Sequence, residues 1–460
     1  METATLGARF IRIERESMKI RTSISLWIAA ALIAGSAPAE APKAAAPKTD
    51  APKVAKPISA TVKKLANLPS ALSEDAVRAH VVSPSNIKNI QMEEVDESKE
   101  VRLSVAAKKV IFKKTPKLNV GAFGTAMHTL LKDNVVGYML QVRQNDQLVY
   151  NLIWNFAQTP ADANKGWNEN TRMHVASVSK YLTAVAMVKV LDSKNISYDA
   201  KISGYLPSHW SKGNNIDKIT FRHLLQHKSG FSTGGSSSDY AFMKARVAAG
   251  VPAVGNYDYE NMNFGLMRLL IPIINGDVPK NASFVSDAAL NDQAWDAVTL
   301  YHYKSYMQSK VFTPAGVANV DFSPATPNAL AYVFPNAGAK GWNSGDLASV
   351  AGGAAWRLST KELLNVMGTI RRKNSVIPAD KAQYILDNYF GIDQAIDTPA
   401  GKIYNKNGAW GTGDGKTEQC VAYFMPNNTE VVVFVNSKIG AQNFSLRGLV
   451  KDVYLNSLAE

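Results

Sequence analysis

The apolar positions of this chain change period several times, and each change marks an element. From Gly121 to Asp133, GAFGTAMHTLLKD, they recur at helical spacing. They then alternate through VVGYMLQVRQ and LVYNLIWNFA, two β-rich arms flanking Asn145-Asp146-Gln147, which predicts a hairpin. Next comes the stretch from His174 to Leu191, HVASVSKYLTAVAMVKVL, apolar on nearly every face after a small, polar opening. A helix apolar all round is a buried helix. Residues 192 to 275 carry mostly helix and loop patterns, including ITFRHLLQHKSG. Residues 276 to 345 read as loop-rich around a helical YHYKSYMQSKVF, and a further helix begins near Ser359. Strands return only near the end, as QCVAYFMP, a turn at Asn427-Asn428, and EVVVFVNS. A last amphipathic helix, SLRGLVKDVYLNSLA, follows. Strands at both ends with helices between require the ends to meet in one sheet. The predicted class is α/β (α+β), an antiparallel sheet flanked by helices with a mainly helical second lobe.

Ahead of residue 117 the chain reads differently. Residues 1–39 end in a secretory pattern: Lys19 and Arg21, an apolar run from Ile24 to Ile33, then Ala37-Pro38-Ala39 as a cleavage site. The run is short for a membrane span, which points to a periplasmic or extracellular protein, or to a tethered one if the segment stays uncleaved. No cysteine follows the run, so lipid attachment there is excluded. Residues 40–57 form an Ala/Pro/Lys repeat that cannot build a core and reads as a semi-extended basic linker. Residues 58–116 form an N-terminal extension without an assignable role, and KKVIFKK at its end predicts a short strand. Residues 117–460 are densely patterned and form one large domain. Cys420 is the only cysteine, so an exported chain would hold together without internal disulfides. It falls in an alternating apolar stretch and reads as a core residue.

The formal net charge is +13. That excess fits either a solvated surface with a basic spacer or association with anionic cell-envelope polymers. Nucleic acid is excluded as a partner, because neither a recognition motif nor an aromatic-interleaved basic patch is present.

Candidate chemistry sits at the start of the buried helix. Ser177 and Lys180, three residues apart, share a helix face, and Lys180 lies in the first turn of an apolar segment. Burial disfavours the ammonium form and makes a neutral amine available as a base, while the helix N-terminus favours an alkoxide or oxyanion. Ser-x-x-Lys occurs by chance roughly once or twice in such a chain. A second copy, Ser85-Asn86-Ile87-Lys88, lies in a polar stretch with no apolar helix behind it. Context therefore favours Ser177 as the nucleophile, the alternative being a buried N-cap serine beside a snorkelling lysine.

Three motifs in order carry a family resemblance: Ser177-Val178-Ser179-Lys180, Tyr259-Glu260-Asn261 and Lys406-Asn407-Gly408. With ITFRHLLQHKSG, KVFTPAGV and GGAAWRLSTKELLNVM, they resemble the serine β-lactamase and penicillin-binding-protein-like hydrolases, in the branch of class C β-lactamases, D,D-peptidases and esterases. The resemblance implies a β-lactamase/transpeptidase-like fold and an acyl-enzyme on Ser177, with no cofactor and no metal. It implies Lys180 and Tyr259 as proton carriers, and Asn261 bonded to Lys180 and a substrate amide. It implies Lys406 as an anchor for a substrate carboxylate, and the backbone N–H groups of Ser177 and Ala409 as an oxyanion hole beside Gly408. Asn407 stands where the family has Thr or Ser, and Trp410 is expected to line the cleft; both weigh against β-lactam recognition. An esterase or D-amino-acid peptidase is therefore expected, acting on a small ester, peptide or β-lactam-like molecule. A β-lactamase or D,D-carboxypeptidase is the alternative, and a non-catalytic envelope-binding member of the fold is a third reading.

Competing motifs fail on context. Gly230-Phe231-Ser232-Thr233-Gly234 follows a helical pattern where a nucleophile elbow needs a strand. Gly415-Lys416-Thr417 lacks the first glycine of a phosphate loop. His223 and His227 are spaced to share a metal, but with no third ligand they read as structural.

Overall fold

Two asparagine-rich turns set the sheet. Asn145 and Asp146 have φ of 48° and 66°, and Asn427 and Asn428 have 57° and 52°. The first pair makes a two-residue turn between Gln144 and Gln147, whose twist matches that of antiparallel strands, and the second closes a three-residue loop, 426–428, between Met425 and Thr429. The computed structural model describes residues 111–460, apart from 234–236, 336–337 and 443, together with the strand Met92–Glu93. The expected signal segment, the linker, most of the extension and the Ser85 motif lie outside the described residues.

The strands are β1 (Met92–Glu93), β2 (Lys117–Leu118), β3 (Gly137–Gln144), β4 (Gln147–Gln158), β5 (Lys165–Gly166), β6 (Met173–His174), β7 (Arg357–Leu358), β8 (Gln394–Thr398), β9 (Gly401–Thr412), β10 (Thr417–Met425), β11 (Thr429–Val435) and β12 (Leu458–Ala459). The helices are α1 (Val120–Leu131), α2 (Val178–Ser193), α3 (Phe221–Leu225), α4 (Tyr240–Ala249), α5 (Asn261–Asn275), α6 (Ala288–Met307), α7 (Thr360–Arg372), α8 (Ala379–Asp387) and α9 (Leu446–Asn456). The main sheet is antiparallel in the order β1-β9-β10-β11-β3-β4-β5, with β8 also pairing β9. The ends of the chain do meet: β11 pairs β3, Val435 opposite Tyr138.

Strand alternation divides the interior in two. On β10, Cys420, Ala422 and Phe424 join a core built with α2, α5 and α6, while Val421, Tyr423 and Met425 join a second core under α1 and α9. Helix α2 is buried almost all round, Lys180 included, as its apolar sequence requires. The helix expected to begin near Ser359 does so, and Ser359 and Glu362 close a capping box at its start.

Two expectations are corrected. The strand expected at KKVIFKK is absent from its described part, residues 111–114, where Ile111 is 94% exposed; a short strand falls instead at Lys117–Leu118, paired with Leu458–Ala459. The region read as loop-rich holds the 20-residue α6, started by Asp287, whose side chain accepts from the Leu290 N–H. Its buried positions are mixed with polar ones, so the helical period is weak in the sequence.

Candidate active site

The backbone turns sharply just before α2. Ala176 takes φ of 42°, a left-handed conformation costly for a residue with a Cβ, and Ser177 follows as the helix N-cap. A serine here ordinarily caps its own helix, but the Ser177 side chain makes no capping bond. Its Oγ instead lies 2.7 Å from Lys180 Nζ and accepts from the Tyr259 hydroxyl at 2.8 Å.

Lys180 is fully buried, and its Nζ also donates to Asn261 Oδ1 at 2.5 Å and to the Gly353 carbonyl at 3.0 Å. Two fixed carbonyl acceptors thus claim two N–H bonds and aim the third direction of the nitrogen at Ser177. In a neutral amine that direction holds the lone pair. Asn261 reaches it from the first residue of α5, so the relevant spacing between motifs is set by helix packing of α5 on α2.

Tyr259 is framed on three sides. Lys180 Nζ lies 4.7 Å and Lys406 Nζ 5.2 Å from its ring centroid, and Lys406 Nζ is 3.5 Å from its hydroxyl. His227 stacks on the ring at 4.4 Å, with Nδ1 accepting from the Glu260 N–H. Burial, then the charges of Lys180 and Lys406, hold His227 well below the usual histidine range, so it is a neutral slab behind Tyr259. Glu260 accepts from the Thr233 hydroxyl at 2.5 Å and tethers that loop to the motif.

On β9, Gly408 packs directly against the nucleophile. A Cβ there would fall 2.4 Å from the Val175 carbonyl oxygen and 3.1 Å from Ser177 N. The Asn407 N–H points to the outer edge of β9, where it donates to Asp393 Oδ2 at 2.8 Å. Peptide groups alternate along a strand, so the Ala409 N–H points to the same edge.

Ser177, Lys180, Tyr259, Asn261, Lys406, Gly408 and Ala409 thus come together around one cleft. Two predicted residues sit differently. Asn407 is opposite Val421, on the face of the second core, and its side chain is buried there rather than turned toward Ser177. Trp410 does not line the cleft; it is 1% exposed, its ring edge-on to His174 at 5.5 Å. Lys406 is also differently engaged: Asp393 Oδ1 accepts from its Nζ at 2.6 Å. Asp393, the Gly353 carbonyl and the stacking of His227 on Tyr259 were not legible in the sequence. For Asp393 the only signal was an acidic residue beside the apolar Phe390–Ile392 stretch.

The competing motifs have other surroundings. Ser232 lies exposed in the loop after α3, and Cys420 is buried with its thiol pushed up by that burial. His223 Nδ1 accepts from the Thr220 N–H in a capping box. Among the described residues no cluster of three or more His, Cys, Asp or Glu could hold a metal.

The chain is also similar to known proteins. The chain is similar to Esterase/beta-lactamase LipL of Mycobacterium tuberculosis, 29% identical over 118 residues, 24% of this chain and 27% of that protein. It is 22% identical over 160 residues to Putative penicillin-binding protein PbpX of Bacillus subtilis, 34% of each. These matches span about a quarter to a third of the relatives' lengths. Among solved structures, the octameric penicillin-binding protein homologue from Pyrococcus abyssi has a TM-score of 0.56 at 16% identity, covering 74% of this chain and 77% of that one. The D-amino acid amidase from Ochrobactrum anthropi has a TM-score of 0.53 at 15% identity, covering 73% and 98%. At such identities the likeness establishes the fold. Residues 121–454 match the model of the Beta-lactamase family, and the chain belongs to that family, whose fold it has.

Proposed function

We propose that this protein is a serine hydrolase that cleaves a small ester or amide through an acyl-enzyme on Ser177. The observation that carries the reading is the uncapped Ser177 hydroxyl, held between Lys180 Nζ at 2.7 Å and the Tyr259 hydroxyl at 2.8 Å. In acylation Ser177 Oγ attacks the carbonyl carbon as its proton passes to Lys180. The bond to the leaving group then breaks, and that group takes a proton from Tyr259, which Lys180 replenishes. The Ser177 and Ala409 N–H groups bind the oxyanion. Water reverses the sequence: it loses a proton to the same relay, the acyl–Oγ bond breaks, and Ser177 recovers its proton.

An esterase or D-amino-acid peptidase activity is favoured, in keeping with the names of LipL and the D-amino acid amidase. The signal pattern before Glu40 supports an exported enzyme, periplasmic or extracellular, where anionic envelope polymers are available to its basic surface. Labelling by a fluorophosphonate probe tests the central claim. The unmodified protein should react, and Ser177→Ala should lose both labelling and hydrolysis, a fall of several orders of magnitude, with unchanged circular dichroism. Undiminished labelling of Ser177→Ala would remove the assignment.

A further inference from the structure

We propose that Asp393 determines specificity at this site: it is a built-in carboxylate that reserves the leaving-group side of the cleft for uncharged groups. The inference rests on the serine-hydrolase reading above. Strand β8 pairs β9 only as far as Asn405, and β1 pairs it only from Gly411. Between those points the outer edge of β9 carries no strand among the described residues. Such an edge offers backbone donors and acceptors to whatever lies beside it.

Asp393 has taken the first of these donors. Its Oδ2 accepts from the Asn407 N–H at 2.8 Å, and its Oδ1 from Lys406 Nζ at 2.6 Å. Arg447 Nη1, reaching over from α9, lies 3.4 Å from Oδ2. The Asp393 backbone N–H donates to the Asn405 carbonyl at 2.9 Å, which fixes the loop against β9. A strand-edge N–H and two cations are what a substrate carboxylate would need here, and an internal carboxylate already holds them. Lys406 Nζ is 3.5 Å from the Tyr259 hydroxyl, the group that gives its proton to the leaving group, so the ion pair borders the leaving group rather than the acyl chain.

An anionic leaving group would therefore have to displace Asp393 or sit beside a like charge. Repulsion of this kind is a direct route to selectivity. An uncharged ester or amide meets neither obstacle.

The test uses a meta-acyloxybenzoate and its methyl ester, which share the scissile ester and differ in the charge of the leaving phenol. The unmodified protein should prefer the methyl ester in kcat/KM by about tenfold or more. Asp393→Asn keeps the shape and removes the charge, and should shift the ratio toward the acid by about ten- to a hundredfold. A second arm needs no turnover: equilibrium binding of the corresponding amides to Ser177→Ala protein should favour the methyl ester, and adding Asp393→Asn should erase or reverse that order. An unmodified protein that takes the acid as readily as the ester, or an Asp393→Asn ratio that does not move, overturns the proposal. If Asp393→Asn fails to fold, the ratio in the unmodified protein decides alone. Probe labelling of Ser177 with an unmoved ratio defeats only this inference; charge selection in binding without labelling defeats only the hydrolase reading.

Discussion

Ser177, Lys180 and Asn261 form a chain of polar contacts in a place where the surrounding sequence is apolar. Polar groups buried this deeply are costly unless each is satisfied, and here Lys180 Nζ meets Ser177 Oγ, Asn261 Oδ1 and the Gly353 carbonyl. Removing the amine should therefore affect chemistry more than packing. Lys180→Met fills a similar volume but leaves Ser177 without its proton acceptor. Hydrolysis should fall by three orders of magnitude or more, while thermal unfolding shows a folded protein whose Tm is lower by several degrees, because Asn261 Oδ1 and the Gly353 carbonyl lose their Lys180 donor. Near-normal turnover of Lys180→Met at neutral pH would assign the base to another group.

Strand β9 is the element on which site geometry depends. Its inner face brings Lys406, Gly408 and Trp410 toward α2, while Asn407 faces the second core. The Lys-x-Gly spacing follows from this: a long cation and a missing side chain two residues apart on one face. At Gly408 even a methyl group would meet the Val175 carbonyl oxygen at 2.4 Å, a backbone atom that cannot swing away. Gly408→Ala should push β9 away from Ser177 and widen the gap between the two oxyanion donors. A displacement near 1 Å costs on the order of a hundredfold in rate. The expected result is a kcat lowered by about that factor with KM changed far less, measured on a neutral aryl ester.

At the scale of the whole molecule, two fully buried histidines link folding to pH. Burial lowers the pKa of His227 first, followed by Lys180 and Lys406; burial also lowers that of His174, against the opposing pull of Glu418. In the unfolded chain both return toward the ordinary value of 6.5. The unfolded state then binds protons that the native state refuses, so stability is full above about pH 6.5 and falls as the pH drops below it. Each histidine contributes a slope of up to about 1.4 kcal/mol per pH unit in that range. Tm should fall between pH 7.5 and 5.5, and the drop should shrink in His227→Asn, which keeps a side-chain acceptor and tolerates the left-handed φ of 56° at that position. An equal drop in the variant would show that His227 does not titrate on unfolding.

The sequence by itself determined the elements and the order of the chemistry. Period and turn residues are local signals, so the Asn145-Asp146 and Asn427-Asn428 hairpins, the buried α2 and the helix start near Ser359 were all readable. Ser177 and Lys180 share one helix turn, and their relation needed no tertiary knowledge either. Tyr259 and Lys406 were recognisable only through the order of the motifs. What lies across the cleft was decided by tertiary structure alone. Side-chain direction on β9 depends on strand register, and that register buried Asn407 and Trp410, both expected to face the substrate. The Gly353 carbonyl carries no side-chain signature at all. Asp393 precedes its partner Lys406 by 13 residues, across a hairpin whose pairing no local pattern specifies. Helix and turn propensities act over a few residues, whereas the Asp393–Lys406 ion pair acts through space, between groups that only the folded sheet brings together.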